Sequence, residues 1–89
     1  MPVFVIDVDT TPKQILPRND KRIAYTLFNG SSVNVYIGRD QSVSTSGSKK
    51  GVPLYANGGM IEDDKYKGPV WAVAEAKTEI HVIEDVEGE

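Results

Sequence analysis

Few side chains in this chain could do chemistry, and their spacing works against them. There is one histidine, His81, no cysteine, and six serines, all in stretches that read as loops: Ser31, Ser32, Ser42, Ser44, Ser46 and Ser48. A serine nucleophile needs a base within hydrogen-bond reach and a third group to orient that base. His81 stands in the alternating run Thr78-Glu79-Ile80-His81-Val82-Ile83, where it reads as a half-exposed strand residue, and a triad built on it would need coincidental geometry. Glu62-Asp63-Asp64 resembles a cation cluster. Calcium loops, however, stagger their oxygen ligands around a sharp glycine turn, and Gly68 comes too late for that. The triplet reads as a solvated corner. Gly30 and Gly58-Gly59 lack the strand, glycine-rich loop and helix context that cradles phosphate. The sequence therefore offers no catalytic, cofactor-binding or metal-binding residues and reads as a non-enzyme.

Tyr25, Tyr36, Tyr55, Tyr66 and Trp71 allow two readings. Aromatic side chains form stacking platforms for sugars and hot spots in interfaces, and they also pack across strands as ordinary core. Core packing is the heavier reading for the set. Tyr36 and Tyr55 stay open as contact residues, because a hydroxyl-rich stretch, Gln41 to Gly51, lies between them in the sequence.

The elements that must position these residues all read as strands. Six segments read as strands at period two: Val3–Ile6, Arg22–Phe28, Val33–Ile37, Val52–Tyr55, Pro69–Ala74 and Thr78–Ile83. Period two turns alternate side chains to opposite faces of a sheet. Lys13–Leu16 and Met60-Ile61 add short extended pieces, and Pro53 marks its strand as an edge. The first strand is placed from Pro2 to Val8. Asn29-Gly30-Ser31-Ser32 reads as a hairpin loop with Gly30 at positive φ, and Gln41–Gly51 as a long exposed loop. The expected fold is all-β: one domain, residues 1–89, forming a small antiparallel sandwich or barrel of about seven to eight strands, with short connections favouring hairpins and meanders. Ile23, Tyr25, Leu27, Val35, Ile37, Leu54, Val70, Ala72, Ile80 and Val82 are the expected core.

Composition narrows the partners. A chain of 89 residues buries only about 60–65% of its unfolded surface and needs reinforcement. Disulfides are excluded by the absence of cysteine, which leaves self-association or attachment to a larger body. The net charge of −3 comes from 10 Lys and Arg against 13 Asp and Glu, with Glu84, Asp85, Glu87 and Glu89 concentrated at the end. That balance argues against a nucleic-acid-binding stripe, and the acidic tail is expected to stay solvated. No apolar run reaches the ~20 residues of a membrane span, and Asp7 arrives too early for a signal peptide.

A family resemblance enters through turn-and-strand patterns. These are Asn29-Gly30-Ser31-Ser32-Val33-Asn34-Val35-Tyr36-Ile37-Gly38, then Ser42 to Gly47, Val52-Pro53-Leu54 before Asn57-Gly58-Gly59, and Gly68-Pro69-Val70-Trp71-Ala72-Val73-Ala74 before the closing strand. From Lys21 to Glu84 the chain resembles small β-rich structural proteins of tailed bacteriophages: head decoration or fibre proteins, or neck and tail attachment domains. The resemblance implies a non-enzymatic virion component, assembled in the host cytoplasm, that acts through protein–protein contacts with itself, as a closed oligomer such as a trimer, and with other virion proteins. It carries no cofactor and no catalytic residues. Outward apolar side chains agree with such a role, and the interface candidates are Phe4, Ile6, Phe28, Tyr36, Tyr55 and Ile83. Val3-Phe4-Val5-Ile6 is apolar at every position, so Phe4 and Ile6 are expected in a contact with a neighbour. The alternative is a carbohydrate- or ligand-binding module in which the Gln41–Gly51 loop and tyrosines bind surface glycans.

Overall fold

Branched and aromatic residues at every second position take one face of an extended segment out of water. The computed structural model, which describes residues 3–88, has eight strands: β1 (Val3–Val8), β2 (Lys13–Leu16), β3 (Arg22–Asn29), β4 (Val35–Gly38), β5 (Val52–Leu54), β6 (Gly59–Asp63), β7 (Val70–Ala74) and β8 (Thr78–Val86). They form two four-stranded sheets, ordered β1-β8-β3-β6 and β2-β7-β4-β5, with every neighbouring pair antiparallel. The fold is a small antiparallel β-sandwich. Pro2, the expected start of the first strand, and Glu89 of the acidic tail lie outside the described residues. Among the described residues no helix is long and apolar enough to cross a membrane.

The connectivity departs from the expected hairpins and meanders. β1, β3, β6 and β8 lie in the first sheet and β2, β4, β5 and β7 in the second, so β4–β5 is the one consecutive pair that is also hydrogen-bonded. Asn29–Ser32 is accordingly an arch between sheets and no hairpin. Gly30 does not take a positive φ; the left-handed residues are Gly47, Asn57, Gly58 and Gly88. A side chain closes the arch instead. The buried Asn29 amide donates to the carbonyls of Val33 (2.8 Å) and Leu54 (2.9 Å), and its Oδ1 accepts from the Ser31 N–H (3.0 Å) and hydroxyl (2.7 Å). Every polar group of a buried amide is thereby met, as burial requires.

β3 changes phase. Strict alternation points Ile23, Tyr25 and Leu27 inward and Arg22 outward. A bulge between Arg22 and Ala24, opposite β8, inserts one residue and reverses the order. Arg22 is 1% exposed and Ile23 55% exposed. Ile23 therefore leaves the expected core, while Tyr25, Leu27, Val35, Ile37, Leu54, Val70, Ala72, Ile80 and Val82 form it together with Val8, Ile15, Leu16 and Ala74. A buried guanidinium is tolerable only when paired and hydrogen-bonded in every direction. Arg22 Nε donates to Glu84 Oε2 (2.8 Å), Nη1 to the carbonyls of Tyr66 (3.3 Å) and Gly68 (2.9 Å), and Nη2 to that of Pro17 (2.6 Å). Glu84 thus serves the interior. The tail expected to be solvated is part of β8 as far as Val86, with Asp85 and Val86 paired to β3.

Candidate functional site

The outer face of the first sheet is built by register. One row runs Val3, Ile83, Thr26, Glu62 across β1, β8, β3 and β6, and the next runs Val5, His81, Phe28, Met60. Val3 (62%), Val5 (49%), Phe28 (37%) and Met60 (57%) are exposed, and Ile83 is partly so. The result is an apolar band across all four strands. The His81 ring meets Phe28 edge-on, with centroids 6.1 Å apart, so the single histidine belongs to this band. Toward β6 the face turns acidic, where Ala24, Thr26, Glu62, Asp64 and Asp85 line a shallow depression. Asp63 Oδ1 accepts the N–H groups of Lys65 (2.8 Å) and Tyr66 (3.0 Å), which hold its carboxyl below the usual carboxylate range. Its part in the Glu62–Asp64 triplet is thus to fix the corner.

The sheet edges differ in how they are guarded. β2 carries Lys13, an irregular register between Gln14 and Leu16, and a proline on each side. β5 is three residues long and contains Pro53, and β6 carries Glu62 and Asp63. Short strands, prolines, irregularities and charges all discourage pairing with a foreign strand. β1 has six residues, Val-Phe-Val-Ile-Asp-Val, with Asp7 as its one charge. Its register with β8 is unbroken from Val3 to Val8, so alternate backbone groups on its far side point away from the sheet in a regular row.

The second sheet treats its outer face differently. Tyr36 and Val73 lie there, buried under Val43 of the β4–β5 connection, with Trp71 packed alongside. The Gln41–Gly51 stretch is largely exposed, as expected, but it turns Val43 back onto its own sheet. Asp40 accepts from the Ser42 N–H and hydroxyl, which lowers its pKa, and Ser44 bridges to Lys50. A side chain at Gly38 would meet Val43 at 2.6 Å, and one at Gly51 would meet the Ile37 carbonyl at 2.6 Å, so both glycines permit the close approach. The Tyr36 hydroxyl donates to Glu75 Oε2 (2.9 Å), which pushes its pKa up.

The six interface candidates therefore scatter. Phe28 and Ile83 come together on the outer face of the first sheet. Phe4 and Ile6 point the other way and pack against the core, leaving Val3 and Val5 outward. Tyr36 is covered, and Tyr55 is 63% exposed on the turn after β5. Sequence reasoning missed Val3, Val5 and Met60, although the unbroken apolar run of β1 already carried the signal for the first two. It also missed a cleft of about 450 Å³ between the sheets, with Ile37, Val43, Ile61, Val70, Tyr25, Arg39, Lys49 and Asp63 among its lining residues.

No known family model, characterised protein or solved structure matches the chain. The resemblance to tailed-phage structural proteins rests on its turn-and-strand pattern alone.

Proposed function

We propose that this chain is a non-enzymatic structural protein that works through protein–protein contacts, first of all with copies of itself, within a larger assembly. The supporting observation is that the apolar band on the first sheet runs into the least guarded edge strand among the described residues, β1, whose one charge is Asp7. Antiparallel β1–β1 pairing about a two-fold axis would join two sheets into one of eight strands and place the two bands side by side. The acidic depression reaches from β6 across β3 to Asp85 of β8, past the Thr78–Ile83 stretch that β1 covers, so none of its carboxylates lies opposite β1. A trimer would instead bury the face without pairing the edge. The resemblance to tailed-phage proteins makes a virion the assembly to test first.

Sedimentation velocity across a concentration series tests the reading. The wild type is expected to self-associate in the micromolar range, and Val5→Lys to sediment as a monomer with an unchanged far-ultraviolet spectrum. A wild type that stays monomeric at about 1 mM, where association is worth only ~4 kcal/mol, overturns self-association. Detection of the chain in purified particles addresses the virion assignment separately.

A further inference from the structure

The cleft between the sheets carries an inference that the surface reading does not use. Ile37, Val43, Ile61 and Val70 are among its lining residues, and its volume of about 450 Å³ falls in the range of small-molecule sites. The lining holds three cations, Arg39, Lys49 and Lys50, against one carboxylate, Asp63, although the chain as a whole has a net charge of −3. Neither Arg39 nor Lys49 has an ion-pair partner among the described residues, where the pairs are Arg18–Asp20 and Arg22–Glu84.

Arg39 is the better placed of the two. It follows the end of β4 and reaches the β6–β7 connection, where its guanidinium carbon lies 4.0 Å over the Tyr66 ring. Stacking holds the guanidinium plane in position and leaves its in-plane N–H groups free for forked recognition of an oxyanion. None of those N–H groups meets a protein acceptor among the described residues, whereas all three nitrogens of Arg22 do. The one carboxylate in the cleft, Asp63, accepts the Lys65 and Tyr66 N–H groups on Oδ1; it lies near enough to Arg39 for the guanidinium to help lower its pKa, but forms no ion pair with it. Lys50 also lines the cleft, with its ammonium 5.4 Å from the Tyr36 ring centre, beside the other two cations, Arg39 and Lys49.

We infer that this cleft binds a small organic carboxylate, with the apolar body against Ile37, Val43, Ile61 and Val70 and the carboxylate forked by Arg39 with Lys49 beside it. The pairing of apolar lining with a stacked guanidinium outside any ion pair selects for both parts at once. An inorganic anion lacks the body and a neutral analogue lacks the charge.

Amide chemical-shift titration of the folded chain tests this with three probes: 3-phenylpropionate, the neutral 3-phenylpropanamide, and inorganic phosphate. The carboxylate is expected to give saturable shifts clustered at Gly38, Arg39, Gly51, Val52 and Ile61, with a dissociation constant of about 1 mM or lower. The amide and phosphate should bind about tenfold more weakly, and Arg39→Gln should weaken the carboxylate by a similar factor. Lys77→Gln, outside the cleft, should change nothing. Equal binding of acid and amide, shifts spread over the surface lysines, no saturation, or indifference to Arg39→Gln would each overturn the site. The readout concerns a single sandwich, so it stands or falls independently of self-association.

Discussion

Both sheets carry large apolar side chains on their outer faces, yet only one of them covers those side chains itself. On the β2-β7-β4-β5 sheet the 39–51 connection folds back, plants Val43 against Tyr36 and Val73, and leaves Tyr36 only 6% exposed. On the β1-β8-β3-β6 sheet no connection folds over Val5, Phe28 or Met60, and all three face outward. The same chain thus has the means to cover a face and uses it once. The uncovered face is the one that offers contact area to a partner, and the covered face is part of the monomer's own stability.

The comparison presupposes two sheets locked to each other, and Arg22 is central to that lock. Arg22→Ala leaves Glu84 and the carbonyls of Pro17 and Gly68 without their donor, and is expected to cost about 3–5 kcal/mol. That is much of the stability of a domain this size, so denaturant titration should show a large fall in midpoint. A loss below about 1 kcal/mol would mean that the sheets hold together without it.

Val43→Ala is the next largest. It removes the plug from the covered face, should cost about 2 kcal/mol, and should make Trp71 fluorescence more accessible to a soluble quencher. Phe28→Thr, on the uncovered face, should cost under about 1 kcal/mol because the ring is already partly wet, while weakening self-association. If the Phe28 substitution destabilises the monomer as much as the Val43 one, the two faces are not different in kind.

Acid titration gives the smallest effect and sharpens the contrast. Asp40 secures the covering loop and Asp63 the corner beside β6, and hydrogen bonds hold both carboxyls below their ordinary value of 3.8. A depressed folded-state pKa contributes stability that is present above 3.8 and lost as pH falls through the lower folded value. Stability should therefore decline below about pH 4. Amide exchange should quicken at Ser42 on one side and at Lys65 and Tyr66 on the other, and Asp63→Asn should remove the pH dependence at Lys65 and Tyr66 alone.

Much of the sandwich is legible in the alternation itself. The faces of β7 and β8 fall as the period demands, with Val70, Ala72, Ile80 and Val82 inward. What alternation cannot show is a change of phase. The β3 bulge exchanges Arg22 and Ile23, and the reason lies in carbonyls at Pro17, Tyr66 and Gly68 that become neighbours only on folding. Sheet membership was illegible for a similar reason: a short loop suits a hairpin or an arch equally until Asn29 finds Leu54. Phe28 and Ile83 could be picked out as outward apolar residues, but their company with Val3, Val5 and Met60 depends on strand order. The cleft joins the ends of β4 and β6 to the 39–51 loop, a set that no local pattern connects.

The pairing of β1 with β8 sets an order of events during synthesis. Val3 pairs with Ile83 and Val8 with Thr78, so β1 leaves the ribosome without its sheet partner and gains it only when β8 emerges. At about 5–20 residues per second that wait lasts several seconds, and pairings this distant in sequence are also slow to form once both strands are available. Throughout that interval an apolar strand with regular, unclaimed backbone groups is open to whatever lies nearest, including the same strand of a neighbouring nascent chain on the same message. Two-fold joining of finished sandwiches through β1 would have its counterpart in unfinished ones, so expression rate and temperature should control how much of this protein reaches its folded form.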